Sequence, residues 1–168
     1  VALCAVDTRT PLLALKAMQR CMRSLHFGDA VLFSHLVPEL VTHAADFGVR
    51  VVDPGPMNSI ETYSRFMLRG LDQQLSCDFM LVVQWDGFVL HPECWTDEFL
   101  DYDYIGAIWP EKFNRHKVGN GGFSLRSRKL LHALTSPDIQ VTHPEDLSIC
   151  DVNRNLLERI HDIRFAPP

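Results

Sequence analysis

Apolar and polar positions change period along the chain, and the changes place most of its elements. Residues 2–6 (Ala-Leu-Cys-Ala-Val) are apolar without a break and end at Asp7, the pattern of a strand buried on both faces. Thr10-Pro11 follows as an N-cap with proline at the first helical position. Leu15, Met18, Cys21, Met22 and Leu25 then recur on one helical face. The pattern predicts a second strand over 30–36, a short helix over 38–47 and a third strand over 49–52. Asp53-Pro54-Gly55-Pro56 is a rigid turn whose prolines cannot continue a ladder. Ser59 caps the next helix, with Ile60, Tyr63, Phe66, Met67, Leu71 and Leu75 on its apolar side. A fourth strand over 79–83 runs straight into Gln84-Trp85-Asp86-Gly87.

The second half is less regular. A strand is predicted over 104–109, then a polar loop over 111–117 carrying Lys112, Arg115, His116 and Lys117. Gly119-Asn120-Gly121-Gly122 reads as a tight turn into Phe123-Ser124-Leu125, with a helix over 127–134 after it. Thr142-His143-Pro144-Glu145-Asp146 opens another helix, proline early and acids in its first turn, and 163–165 closes the chain as a last strand. Strands alternating with helices imply an α/β fold with a mostly parallel sheet. In such sheets ligands sit beyond the carboxyl ends of the strands, where Asp7 with Arg9, Asp53 and Asp86 all fall.

The length of 168 residues suits a single domain over 1–168 with a real core. A net charge of −5 argues against a nucleic-acid partner, because phosphate neutralisation needs a basic surface. No apolar run approaches the ~20 residues of a membrane span, and no basic-then-apolar leader precedes the first strand. Val1, not Met, opens the chain, as in a processed or trimmed product. Cys4, Cys21, Cys77, Cys94 and Cys150 form no Cys-x-x-Cys pair, so a zinc or thioredoxin-type site is unsupported. Most of them read as small core hydrophobes of a reducing compartment, with a cytoplasmic location expected.

Three places carry candidate chemistry. Asp86 is delivered by a buried strand beside Gly87, where a ligand can approach the backbone; an acid capping a turn accounts for it equally well. A hard cation bridging a diphosphate takes only one or two protein carboxylates, so one such acid suffices. Glu145 and Asp146 pair near a helix start, as a general base towards an acceptor hydroxyl or as acids favoured there by the helix dipole. The glycine turn fits neither a Walker loop nor a dinucleotide fingerprint, and reads either as close backbone approach to an anion or sugar or as a plain turn. The basic loop 111–117 could close over a diphosphate or be solvated, and His143 matters only as a neighbour of the acid pair. Gly-x-Ser-x-Gly and His-x-x-x-His are absent, leaving acyl transfer and zinc hydrolysis without support.

Several strings together resemble an uncharacterised domain family grouped with GT-A glycosyltransferases. They are Leu81-Val82-Val83-Gln84-Trp85-Asp86-Gly87-Phe88, Tyr102-Asp103-Tyr104-Ile105-Gly106-Ala107, and Val118-Gly119-Asn120-Gly121-Gly122-Phe123-Ser124-Leu125-Arg126-Ser127, followed by His143-Pro144-Glu145-Asp146 and Ile163-Arg164-Phe165-Ala166-Pro167. The resemblance implies a GT-A-like, three-layer α/β/α fold that moves sugar from a nucleotide-diphospho-sugar donor to a hydroxyl acceptor with Mn²⁺ or Mg²⁺. Gln84-Trp85-Asp86 would stand in the place of an Asp-x-Asp metal motif, with Asp86 the metal ligand and Gln84 where the first acid usually stands. By the same analogy Asp7, Thr8 and Arg9 lie near the nucleotide, Gly121 and Gly122 line the donor and acceptor cleft, and Glu145 or Asp146 is the base of an inverting transfer. Arg9, Arg65 and Lys117 are candidates for phosphate contacts, and Trp85 and Trp109 for stacking. GT-A enzymes often supply a further histidine after the last core strands; this chain stops at Pro168, so either it continues or the site is incomplete there.

Two other readings compete. A nucleotidyltransferase usually carries a glycine-rich basic loop after the first strand, and Asp7-Thr8-Arg9-Thr10-Pro11 has no glycine. A non-catalytic nucleotide- or sugar-binding domain that has lost the metal is favoured by Gln84.

Overall fold

A computed structural model of the chain describes residues 1–74, 77–109 and 118–168. Leu75 and the basic loop with Lys112, Arg115, His116 and Lys117 lie outside the described residues. The first strand, β1 (Ala2–Val6), is buried along its whole length. Its side chains divide with the strand period of two: Leu3 and Ala5 enter one core, Ala2, Cys4 and Val6 the other. A strand with apolar residues in both directions must be central, and β1 pairs in parallel with β2 (Asp29–Phe33) and β4 (Phe79–Val82). With β3 (Arg50–Val52), β5 (Tyr104–Gly106) and β6 (Ser124–Ser127), the six strands are ordered β3-β2-β1-β4-β6-β5. Only β6 is reversed, antiparallel to β4 and β5.

Helices cover both faces, giving the expected three-layer α/β/α arrangement. On one face α1 (Pro11–Met22) and α2 (Pro38–Ala45) place Leu15, Met18, Cys21, Leu40 and Ala44 against Leu3, Ala5, Leu32 and Leu81. On the other, Met67 from α3 (Ile60–Arg69) and Leu131 from α4 (Arg128–Ala133) pack on Cys4, Val31, Phe33 and Met80. A neighbouring core joins Tyr104, Leu130, Ile149, Leu157 and Phe165 beyond β6.

Ser59 caps α3 as expected, and Thr62 completes a reciprocal capping box. Thr10 differs: its hydroxyl donates to Asp7 Oδ2 at 2.8 Å instead of capping α1. The strand predicted over 104–109 ends at Gly106, and the one over 163–165 is reduced to a bridge between Tyr104 and Phe165. The helix predicted from 142 is broken into α5 (Glu145–Leu147), a wide π-type turn (Ser148–Val152) and α6 (Arg154–Arg159). Asn153 ties this turn down: its buried amide donates to Gln140 O at 2.8 Å and Ser148 O at 2.9 Å, holding the end of the π-type turn against the segment before α5.

Candidate functional site

The sheet order locates the site. From β1 the chain moves through β2 to β3 on one side, then returns to β4 on the other, so the order reverses between β1 and β4. A crevice outside the carboxyl ends of two such strands is where open α/β sheets bind ligands. The segments flanking it are 7–10 after β1 and 83–87 after β4, and the reversed entry of β6 adds 119–123, because Ser124 pairs with both Val82 and Gly106.

The loop after β1 is closed on itself. Asp7 Oδ1 accepts the N–H groups of Arg9 (2.8 Å) and Thr10 (2.7 Å), and Oδ2 accepts the Thr10 hydroxyl, so both oxygens hold the loop. Asp7 is thereby a loop former; Thr8 is half-buried, and the Arg9 side chain is exposed at the crevice. Asp53 behaves similarly after β3, accepting the Gly55 N–H at 2.8 Å where Gly55 adopts φ +79°.

After β4 the chain reverses in a two-residue hairpin: the Gln84 N–H donates to Gly87 O (3.0 Å) and the Gly87 N–H to Gln84 O (3.1 Å). Trp85 and Asp86 form its exposed tip. The Gln84 side chain folds back inward. Its Nε2 donates to the Tyr63 hydroxyl at 3.3 Å, and its Oε1 stands 2.5 Å from where a Gly122 Cβ would be. Burial first, and then the negative charge of Glu145, hold the Tyr63 phenol above its ordinary range, so Tyr63 is a neutral partner. Asp86, in contrast, accepts no hydrogen bond among the described residues. Among those residues no three His, Cys, Asp or Glu side chains form a metal-binding group. The free carboxylate nevertheless fits a cation held mainly by ligand phosphates and water, which asks one or two carboxylates of the protein.

The glycine turn is packed closely by the protein's own side chains. A Cβ at Gly121 would stand 2.4 Å from Glu145 Oε1 and 2.7 Å from Arg126 Nη2; one at Gly122 would strike Gln84. Gly87 likewise makes room for Phe123, whose Cβ lies 3.2 Å from the added atom.

Beneath the turn Arg126 is fully buried. Its Nη2 donates to Glu145 Oε1 (3.2 Å) and Gly121 O (3.3 Å), and its Nε to Ser124 Oγ (3.0 Å). Its Nη1 is buried without a partner among the described residues. Burial alone would lower the guanidinium's pKa, but Tyr104, Glu145 and Tyr63 around it outweigh that and hold it above its ordinary value.

The two acids expected to share one role are divided by this geometry. Glu145 is buried in the Arg126 ion pair and faces away from solvent access. Asp146 keeps partial exposure; its Oδ1 accepts the Leu147 N–H (2.8 Å) and its Oδ2 the Gly121 N–H (3.3 Å). Asp146 and the glycine turn therefore meet, and Gln84 meets Gly122 from the other side. Arg65 does not join them; it sits on the exposed face of α3. Trp109 is stacked on Gly119, its ring 2.1 Å from a Cβ built there, so it packs the turn. Sequence reasoning missed Arg126 and Tyr63 as site residues. The available signal was an arginine set between Leu125 and Ser127 in a strand whose alternation points it into the core.

A central, mostly parallel sheet with this switch point and reversed β6 belongs to the nucleotide-diphospho-sugar transferase class of folds. Over 98% of its length the chain is similar to CMP:2-keto-3-deoxy-manno-octonic acid synthetase complexed with CTP, at TM-score 0.52 and 10% identity, covering 87% of that chain. It is also similar to the apo-form glycosyltransferase GlyE of Streptococcus pneumoniae TIGR4, at TM-score 0.51 and 15% identity over 99% of this chain. The chain spans only 44% of that glycosyltransferase's length. Residues 46–164 match the family described as "Protein of unknown function (DUF5672)", and the chain belongs to that family. A comparison with curated proteins found no match. Among the described residues no helix is long and apolar enough to cross a membrane.

Proposed function

We propose that the chain is a glycosyltransferase that moves a sugar from a nucleotide-diphospho-sugar to an acceptor hydroxyl. The observation carrying this reading is that, at the β1/β4 switch point, the hairpin bearing Asp86 meets the Gly121-Gly122 turn through Gln84 and Gly87, and Asp146 meets the same turn at the Gly121 N–H, with Asp86 accepting no hydrogen bond among the described residues. Arg9 is the exposed cation for the donor's diphosphate. Asp86 would hold a divalent cation, Mn²⁺ or Mg²⁺, which when bound supplies charge stabilisation to the departing nucleoside diphosphate. Asp146 accepts the acceptor hydroxyl's proton. Glu145 and Arg126 orient it: the pair fixes the Gly121 carbonyl, and the Gly121 N–H fixes the Asp146 carboxylate. The tight, glycine-free loop after β1 favours glycosyl over nucleotidyl transfer, since its Arg9 and Thr10 N–H groups are spent on Asp7.

A second reading, a non-catalytic nucleotide- or sugar-binding domain, is favoured by one observation: Gln84 is turned inward to Tyr63, leaving Asp86 as the one acid at the hairpin tip. Thermal stability against nucleoside diphosphates and nucleotide-sugars, with and without Mn²⁺, separates the possibilities. A Mn²⁺-dependent rise in Tm with one nucleotide, lost in Asp86→Ala, together with donor turnover lost in Asp146→Asn, supports the transferase. A rise without turnover moves the assignment to the binding domain. No shift with any nucleotide defeats both.

A further inference from the structure

On the opposite face of β4, β6 and β5 from Arg126, the structure forms a half-open cavity of ≈ 560 Å³. Its floor is the sheet, with Leu81, Leu125 and Ile105, and its roof is the segment after the hairpin, which includes Phe88, Trp95 and Phe99. The roof residues pack on the core beneath α1 yet stay only partly buried, because the cavity lies between them and the sheet. Such a volume falls within the range of small-molecule sites, about 300–1,000 Å³, which are walled mainly by aliphatic and aromatic side chains.

The cavity reaches the same edge of the sheet as the site, through Gly106, Phe123 and Ser124. Phe88 and Phe123, which line it, directly follow Gly87 and Gly122. Ser124 completes the wall at that edge, while its hydroxyl turns to the Arg126 face and donates to Gly121 O (3.0 Å). An apolar body seated here would end at the sheet edge beside Phe123, the residue that follows the Gly121-Gly122 turn. An unsubstituted sugar or a phosphate would find few partners on these walls, whereas burial of a ring or an alkyl chain is favourable in proportion to its apolar area.

We infer that this cavity holds the apolar body of the acceptor, a small alcohol whose ring or chain is buried while its hydroxyl points to the Gly121/Asp146 edge. The acceptor role rests on the transferase reading above; the apolar site itself does not.

The test is titration of the whole chain with 2-naphthol and with 1-decanol, one offering a ring and the other a chain. Saturable one-to-one binding of either, with mutual competition, is expected. Ala107 is an exposed residue of the wall, so Ala107→Trp can fill the cavity from its rim and should weaken binding at least tenfold, while Ala107→Ser should leave it unchanged. Should Ala107→Trp fail to fold, the one-to-one competition in the wild type decides. Absence of saturable binding, or equal binding in Ala107→Trp, overturns the inference. A nucleotide-dependent rise in Tm without alcohol binding defeats it alone and leaves the donor reading standing. Alcohol binding with no nucleotide response defeats the donor reading, and the acceptor role with it.

Discussion

At the scale of single residues, the site is built on a buried charge pair that the chain cannot cheaply lose. Arg126 is wholly enclosed, and the Glu145 carboxylate is its one anionic partner among the described residues. Removing one member leaves the other charged and buried, at a cost of about 3–5 kcal/mol, whereas replacing both by apolar residues of similar volume is often neutral. Glu145→Ala should therefore unfold at markedly lower urea, and Arg126→Met with Glu145→Leu should recover most of the loss. Equal destabilisation by the single and double changes would show that the pair's charge is not what matters. Gly121 makes a sharper case. An added Cβ would lie 2.4 Å from Glu145 Oε1 and 2.7 Å from Arg126 Nη2, both in a packed interior. Gly121→Ala should cost about 1–3 kcal/mol through overpacking. Thermal denaturation checks this, since each kcal/mol corresponds to about 2–4 °C in a chain of this size.

At the scale of elements, local signals sufficed where neighbouring residues decide the conformation. β1, α1, α3 and β4 begin at or within a residue of the positions that the apolar period and the Pro11 and Ser59 starts indicate. The same logic predicts that Ser59→Ala, which removes half of the reciprocal box with Thr62, costs about 0.5–2 kcal/mol. Because Tyr63 lies in the first turn of α3 and bonds Gln84, that loss should also loosen the hairpin. Faster hydrogen exchange at the Gly87 amide, against an unchanged β1, is the expected signature; no change there would separate α3's start from the hairpin. Local patterns could not indicate that β6 is antiparallel, because its pairing with Phe79–Val82 depends on residues more than forty positions away. Nor could they end the helix near 147, where Asn153 reaches back to Gln140. The site was legible to the same degree. Asp86 and Asp146 stand out as acids at a strand end and a helix start, but the Arg126–Glu145 pair spans 19 positions and matches no local period.

At the scale of the whole molecule, the packed cores bury groups that water would leave free to ionise. Burial, the leading cause in each, pushes the Cys4 and Cys150 thiols from an ordinary 9.0 up to about 12. Cys4 lies in the sheet itself and Cys150 in the core beyond β6, so the two sample separate regions of the fold. An acid whose folded pKa is raised contributes stability that is complete below its unfolded pKa. That stability is lost as pH climbs from there towards the folded value, because the unfolded chain releases its proton first. Each such group contributes a slope that rises through half its value at the unfolded pKa towards about 1.36 kcal/mol per pH unit, so the two thiols together approach roughly 2.7 kcal/mol per unit by pH ~10. Urea unfolding between pH 9 and 10 should follow that fall, ahead of the tyrosines, whose unfolded phenols ionise near pH ~10. Cys4→Ala and Cys150→Ala should each lower the slope by a similar amount, whatever they do to stability at pH 7, with Cys21, whose thiol burial also raises, supplying part of the remainder. If the double variant loses stability with pH as steeply as the wild type, the thiols are not the alkaline trigger, and Tyr63 and Tyr104, both held above their ordinary values by burial, take their place.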